Sequence, residues 1–269
     1  MKITEYPSTN KFNSDNILLL DGGDGTKSIQ VVDAILSALD LISVENHRNF
    51  YRGKNLGTSF TTAQKAAIQA GTFDDMWVGD YWVINGINWR IVDIDYWFGT
   101  GDNRLNSHHI VVMPDSSLYE AAMNDNAITT GAYVGSKMYT TNLAEAKSTI
   151  NKAFPSSVLK HRDFLTNAVT DNYASAGAWY DSLVEIPSET MIFGAHIHTP
   201  NDPSAKLYST AKTQLALFRL CPRRISTAYT YWLRDVVSNA SFASVDYYGA
   251  CSTTKASVLA CVRPVFAVG

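Results

Sequence analysis

Two carboxylates lie two residues apart in the sequence RIVDIDYW, at Asp93 and Asp95. The apolar pattern predicts a strand there, and side chains at i and i+2 of a strand lie on one face. A pair of carboxylates can divide the work of glycosidic bond hydrolysis. Neighbouring carboxylates are also common at strand ends without a catalytic role. The pair leaves two interpretations open, a carbohydrate-degrading depolymerase or structural carboxylates, and we expect that the chain is not an enzyme.

Two histidines have a spacing that metal ligands sometimes have, in the segment AHIHTPND. His196 and His198 fall on the same side of an extended segment, and Asp202 is a candidate further ligand. A metal site also needs third and fourth ligands, and the sequence marks none convincingly. We therefore interpret the two histidines as residues of a surface loop and predict no metal and no other cofactor.

A glycine-rich segment, DGGDGTKS, has part of the composition of a phosphate-binding loop. Thr26 separates Gly25 from Lys27, so the Gly-Lys-Ser/Thr run of such loops is interrupted. The glycines suit the tight turn of a β-hairpin instead. Elsewhere, no G-x-S-x-G nucleophile elbow occurs.

The composition limits the classes of protein to which the chain can belong. Its 269 residues are 46% hydrophobic, which is ample for a sizeable core. The net charge is −3 with scattered basic residues, so we expect no nucleic-acid partner, because phosphate binding needs a concentrated basic face. No apolar run has membrane-spanning length, so we expect no membrane partner. Cys221, Cys251 and Cys261 match no zinc spacing and predict reduced thiols in a protein made in a cytoplasm.

The first 72 residues predict an anchor and a connector. NILLL and KSIQVV flank the DGGDG turn, and VVDAILSALDLI then has helical spacing, so residues 1–45 predict a small hairpin and helix. Residues 46–72 predict a helical connector, in which Thr61 and Gln64 form a capping box and Gly71 ends the helix. We expect the region up to about Leu41 to be dispensable for folding of the rest, and a chain that starts near Thr72 to fold alone.

Residues 73–269 predict a mixed domain, which makes the whole chain α+β. Asn85-Gly86 is the turn of a hairpin, HHIVVMP is a strand and NLAEAKSTINKAF is an amphipathic helix. TDNYASAGAWYDS has no regular pattern and predicts a loop, with Trp179 and Tyr180 as exposed aromatics and candidate ligand-binding residues. The remaining tryptophans in strand patterns predict core positions: Trp82, Trp89, Trp97 and Trp232.

The tail predicts two scaffold strands, YWLRDVV and SVLACVRPVFAV, around a polar segment. Trp232, Leu233, Val262 and Phe266 are expected to be buried. At least one of Arg234 and Arg263 should be held by a carboxylate or by backbone carbonyls, because a guanidinium in a strand interior otherwise loses its hydration. The polar side chains between the strands are expected to point outward and to bind a ligand: Asn239, Ser241, Ser244, Asp246, Tyr247, Tyr248, Thr253, Thr254 and Lys255.

Several separated motifs resemble a family of uncharacterised phage and prophage proteins from gut Firmicutes. They are VGDYWVINGINWRIVDIDYW, FGAHIHTP, AKTQLALFRLCPRRI, YWLRDVVSNASFASVDYYG and ACVRPVFAVG. The YWLR…VRPVF ending also resembles phage C-type-lectin-like domains. That resemblance implies a closing strand beside the domain's first strand, with a polar excursion as ligand surface. The segment NSDNILLLDGGDGTKSIQVVDAILSAL is similar to virion-attachment segments of phage fibres.

The resemblance implies a phage virion surface protein, a tail or head fibre, made in the bacterial host cytoplasm. Its lectin-like domain would bind a host-cell or mucosal surface ligand, a glycan or a protein. Its N-terminal segment would bind other virion proteins, and a homotrimer is expected, because fibres with this layout usually trimerise. Two alternatives stay open, a purely structural capsid decoration or head-fibre protein, and a depolymerase that uses Asp93 and Asp95.

Overall fold

The chain divides into two compact units, Met1–Asn46 and His47–Gly269. The computed structural model describes residues 17–21, 26–30, 34–35, 46–199 and 213–269. In the first unit, β1 (Ile17–Asp21) pairs antiparallel with β2 (Thr26–Gln30). This pairing confirms the predicted hairpin in place of a phosphate-binding loop, which would follow a parallel strand. The turn at 22–25 and most of the helix predicted after it lie outside the described residues.

The predicted connector, residues 46–72, belongs to the second unit except for Asn46. It includes α1 (Asn46–Asn49) and α2 (Thr62–Gln69). The capping box is confirmed, since Thr61 Oγ1 accepts from Gln64 N at 3.2 Å and Gln64 Oε1 accepts from Thr61 N at 3.0 Å. Ile68 of α2 is fully buried. The segment therefore contributes to the core of the second unit.

An antiparallel sheet of six strands joins the beginning and the end of the second unit. Its strand order is β10-β15-β5-β4-β3, and β7 pairs with β15 as well. Asn85 and Gly86 between β3 and β4 have φ values of 53° and 77°, the left-handed values of a tight hairpin turn, which confirms that prediction. The strands are β3 (Tyr81–Ile84), β4 (Ile87–Ile94), β5 (Ile110–Pro114), β7 (Val158–Leu159), β10 (Val184–Glu185) and β15 (Val265–Val268).

A second sheet has the order β13-β12-β11-β14-β6, with β14 parallel to β11. Its strands are β6 (Tyr119–Ala121), β11 (Tyr231–Ser238), β12 (Ser241–Val245), β13 (Cys251–Lys255) and β14 (Ala260–Val262).

The closing segment SVLACVRPVFAV is two strands in two sheets, β14 and β15, where one strand was predicted. The chain crosses between the sheets at Arg263-Pro264, and the proline has no N–H with which to continue a strand ladder. The expectation that the closing strand lies beside the domain's first strand is also wrong. β15 pairs with β5, β10 and β7, and the strands β5 and β4 separate it from β3.

A long hairpin of β8 (His161–Thr170) and β9 (Tyr173–Ser182) replaces the loop predicted for TDNYASAGAWYDS. Ala, Ser and Gly have weak strand preference, and here the pairing with β8 overrides it. The predicted amphipathic helix is confirmed as α3 (Leu143–Ala153), preceded by a π-helix at Met138–Asn142. The shorter helices are α4 (Glu189–Phe193), α5 (Ala216–Leu220) and a 3₁₀ turn at Pro222–Arg224.

The core confirms the predicted buried residues, and the fold is α+β. All four tryptophans expected in the core are fully buried, as are Leu233, Val262 and Phe266. The Phe154 ring lies 5.6–6.0 Å from the rings of Trp82, Trp89 and Phe266, in edge or steeply tilted contacts. Among the described residues, no helix has the length and apolar character needed to cross a membrane.

Candidate functional site

The turn between β12 and β13 presents an exposed pair of tyrosines. Tyr247 and Tyr248 are 53% and 77% exposed, and their ring centroids are 4.0 Å apart. Asp246 fixes the turn, because its Oδ1 accepts the backbone N–H groups of Tyr248 and Ala250, each at 2.9 Å. Gly249 N also donates to Asp246 O at 3.0 Å. Both rings therefore stand on an ordered turn.

A polar cavity adjoins this turn. Ser226 Oγ donates to Tyr247 O at 2.8 Å, which joins the turn to the segment after the 3₁₀ helix. Ser226 also lines a cavity of about 220 Å³, together with Asp115, Arg223, Arg224 and Arg263. We call these five residues and the Tyr247–Tyr248 pair the tyrosine-arginine site. The exposed aromatic faces and the cavity beside them make it a candidate binding surface.

The cavity residues were missed as a site by the sequence analysis. They come from the end of β5, from the 3₁₀ turn and from the crossing between β14 and β15. Because these residues are far apart in the sequence, no sequence pattern shows that they form a cluster. The adjacent arginines in CPRRIS, directly after a proline, were the available signal.

Ser244 corrects the predicted outward display. It is fully buried, and its Oγ lies 2.9 Å from Thr254 Oγ1. Residues 242–245 of β12 are all buried, so both faces of this strand are covered. The alternation of polar and apolar residues in SFASV therefore does not mark an exposed face.

The other predicted tail residues lie mostly at the far end of the β12–β13 hairpin. Ser241 pairs with Lys255, whereas Val245 pairs with Cys251 beside the tyrosine turn, and strands of this length separate the two ends by about 13 Å. Asn239 is exposed but engaged, since it exchanges hydrogen bonds with Asn172. The structure places these residues at or toward that end, apart from the tyrosines: Asn239, Ser241, Thr253, Thr254 and Lys255.

Trp179 and Tyr180 lie on β9, in a different sheet from the tyrosine turn. Both are half-buried instead of exposed. The Trp179 ring packs edge-on against Phe164 with centroids 5.6 Å apart, and Tyr180 OH accepts from Asn167 Nδ2 at 3.0 Å. They do not join the tyrosine-arginine site.

Asp93 and Asp95 do not form a carboxylate pair with a shared direction. Asp93 is fully buried and accepts Arg48 Nε at 2.5 Å and Ala216 N at 3.0 Å. Asp95 accepts instead from His109 N at 2.8 Å and has His108 Nδ1 at 2.7 Å. β4 ends at Ile94, and Asp95 has a φ of 54° outside the strand, so the alternation on which the prediction depended does not extend to it. Asp93 therefore links Arg48 of α1 to the first residue of α5.

His196 and His198 have separate partners. His196 Nδ1 lies 3.8 Å from Glu189 Oε2, and His198 Nε2 lies 3.2 Å from Cys251 O. Glu189 accepts the backbone N–H groups of residues 197–199. Burial raises the pKa of Glu189, but the His196 side chain and these N–H groups together outweigh burial and lower the pKa to about 2. Within the described ranges, no three His, Cys, Asp or Glu side chains are grouped to hold a metal ion. Asp202 lies outside the described residues.

A buried polar cluster lies between β8, β10 and β11. Arg234 forms an ion pair with Asp163, which confirms the predicted carboxylate partner for a tail arginine. Glu185 accepts from Tyr133 OH and Ser182 Oγ, each at 2.7 Å. Burial raises the pKa of Glu185 to about 7 and that of Asp235 to about 6. Arg234, Asp163 and Glu185 are buried, whereas Asp235 is half-buried, so we assign the Arg234–Asp163 pair and the hydrogen bonds of Glu185 a structural role.

The Glu185 carboxyl should make stability depend on pH. Because its folded-state pKa is about 7 and the usual value is 4.5, the folded state takes up the proton first, and stability rises as the pH falls from 7 to 4.5. The gain is about 3 kcal/mol. In E185Q this gain should be absent, although the amide can still bond Tyr133 and Ser182. Urea unfolding of both proteins between pH 8 and pH 5 measures the difference, and parallel pH profiles would contradict the assignment.

Comparisons of the chain with protein-family models, with curated proteins and with solved structures find no match.

Proposed function

We propose that this chain is a phage virion surface protein, a tail or head fibre, whose second unit is a C-type-lectin-like domain that binds a host-cell or mucosal surface ligand. The observation that carries the proposal is the exposed Tyr247–Tyr248 pair on its ordered turn. The likeness of the sequence to phage proteins supports the same function. The sequence likeness supports the location on a virion, and the tyrosine pair supports the binding of a ligand.

The tyrosine pair has the physical character of a binding surface. Tyrosine offers a large apolar face and a hydroxyl at a small cost in side-chain entropy. The turn that Asp246 fixes reduces this cost further, because little backbone order has to be gained on binding. Aromatic faces of this kind can pack on the apolar face of a sugar ring, while the hydroxyls bond to its substituents.

The first unit is proposed to attach the protein to other virion proteins. A two-stranded hairpin such as β1–β2 is marginally stable alone in water. Burial of its apolar residues against virion partners, or against two further copies in a homotrimer, would stabilise it. A trimer at the virion surface would also present three binding sites, and multivalency raises the apparent affinity of weak sites by about 10²–10⁴.

A double substitution of the tyrosines tests the proposal. Y247A/Y248A should weaken binding to host cells, wall polysaccharide or mucin by at least about tenfold, since aromatic residues dominate binding energies. The melting temperature should change little, because both side chains are exposed. Y173A is the matched control, because Tyr173 is a 37% exposed tyrosine on β9, away from this turn.

Binding of Y247A/Y248A equal to that of the wild-type protein would overturn the role of the pair. If the wild-type protein binds none of these ligands in any oligomeric state, a purely structural capsid decoration or head-fibre role would be favoured. Antibody labelling of virions in electron micrographs would then locate the protein on the tail or on the capsid.

A further inference from the structure

The cavity of the tyrosine-arginine site carries a large excess of positive charge. Three of its five lining residues are arginines, Arg223, Arg224 and Arg263, and one is an aspartate, Asp115. Since arginine is always protonated in proteins, the cavity carries a net charge of about +2 before its neighbours are considered.

The one carboxylate is already occupied by an arginine from outside the cavity. Arg90 of β4 donates Nε to Asp115 Oδ1 at 2.6 Å and Nη2 to Asp115 Oδ2, a two-point ion pair in which Arg90 is only 3% exposed. Arg224 Nη1 lies 3.7 Å from the same carboxylate, beyond hydrogen-bond distance. Asp115 is therefore paired mainly with Arg90, its contact with Arg224 is a longer ion pair, and no other carboxylate of the described residues lines the cavity to offset the three arginines.

Arg263 is held in place by neutral groups. It is 1% exposed, and it donates to Pro114 O at 3.0 Å, to Arg224 O at 3.3 Å and to Ile225 O at 3.4 Å. Its guanidinium also lies over the Tyr231 ring, 5.2 Å from the centroid. Carbonyls and an aromatic face orient the cation without neutralising it.

The other two arginines have unused donors. Arg224 Nη2 donates to Tyr51 OH at 3.3 Å, while its buried Nε has no hydrogen-bond acceptor among the described residues. Arg223 is exposed, and no ion pair joins it to any residue in the described part of the chain. The Arg224 side chain is 33% exposed, and its Nη1 lies 3.7 Å from the nearest Asp115 oxygen, too far for a hydrogen bond. The donors that an oxygen ligand in the cavity can reach are therefore Arg224 Nη1 and the exposed Arg223 guanidinium.

We propose that this cavity binds the anionic group, a carboxylate or a phosphate, of an acidic glycan whose neighbouring sugar packs on Tyr247 and Tyr248. The proposal rests on the proposed function and adds the chemical class of its ligand. Planar guanidinium groups match the geometry of carboxylate and phosphate oxygens. The bond from Ser226 to Tyr247 O places the tyrosine turn against the cavity, so one ligand can contact both.

Small anions test the cavity directly. The full chain is titrated with inorganic phosphate, with sodium glucuronate and with neutral glucose at low ionic strength, and binding is followed by NMR. Wild-type protein should bind at least one of the two anions and not glucose, and the two titrations distinguish phosphate from carboxylate. R223Q/R224Q should raise the Kd by about tenfold or more, the effect of losing one charge-assisted hydrogen bond. Arg263 is left unchanged because it is buried.

R219Q is the control, because Arg219 is an exposed arginine on α5 that does not line the cavity. It should change the Kd by less than about twofold when the titrations are repeated at about 0.15 M salt, because an exposed charge that does not line the cavity is then screened. Absence of anion binding, an unchanged Kd in R223Q/R224Q, or an equal effect of R219Q would overturn the proposal.

Cell binding separates this inference from the function on which it rests. If wild-type protein and R223Q/R224Q bind cells or glycans equally well, the anion site is wrong while the binding function stands. If wild-type protein binds no cell or glycan but binds phosphate or glucuronate through these arginines, the cavity is an anion site and the proposed function is wrong.

Discussion

R234Q is expected to destabilise the second unit by about 3–5 kcal/mol, because it leaves a buried carboxylate without its cation. Asp163 has no exposed side-chain surface, and Arg234 is its ion-pair partner. The Asp163 Oδ1 atom already has no hydrogen-bond partner among the described residues. The carboxylate therefore depends on Arg234 for most of its compensation. Urea unfolding at neutral pH measures the loss.

A double-mutant cycle distinguishes this ion pair from a general packing effect. D163N should also be destabilising, and R234Q/D163N should be more stable than the sum of the two single changes predicts, since neither charge is then buried alone. K137Q is the surface control, because the Lys137–Asp125 pair is 44% and 73% exposed, and its loss should cost less than about 0.5 kcal/mol. Additive effects in the cycle would show that the pair is not coupled.

The elements with local signals were predictable from the sequence. The Asn85-Gly86 turn and the Thr61–Gln64 capping box are decided by a few adjacent residues, and the structure confirms both. Burial of Trp232 and Phe266 followed from apolar residues in strand patterns. Each of these features depends on interactions within a few residues of the chain or on hydrophobicity alone.

The features that were not predicted correctly depend on contacts between residues distant in sequence. β9 is a strand because β8 pairs with it, although its Ala, Ser and Gly residues favour no strand. Ser244 is buried because both faces of β12 are covered. The tyrosine-arginine site joins the end of β5 to the 3₁₀ turn and to the β14–β15 crossing, and only the tertiary fold brings these segments together.

The segment 47–72 is the clearest case in which the fold changes an expectation about domains. Arg52 donates to Asp80 from both Nε and Nη2, and Lys54 N donates to the same carboxylate at 2.8 Å. Asp80 is fully buried, as is Asp93, which Arg48 binds. A chain without this segment would bury two carboxylates that have lost their cations. We therefore revise the expected start of an independently folding head from Thr72 to His47.

A protein that begins at His47 should unfold cooperatively, with a melting temperature within a few degrees of that of the full chain, because the second compact unit is then intact. A protein that begins at Phe73 should not fold cooperatively. It loses Ile68 from the core and leaves Asp80 and Asp93 unpaired, and each unpaired buried charge costs about 3–5 kcal/mol, which together match the whole stability of a typical domain.

Calorimetry and near-ultraviolet circular dichroism of the two truncated proteins decide the question. R52Q in the full chain removes only the Arg52 guanidinium from Asp80, while the hydrogen bond from Lys54 N to Asp80 remains. It should lower the free energy of unfolding by less than the truncation does. If the protein that begins at Phe73 melts cooperatively at the same temperature as the one that begins at His47, the segment is a passive connector, and its ion pairs with Asp80 and Asp93 contribute nothing to stability.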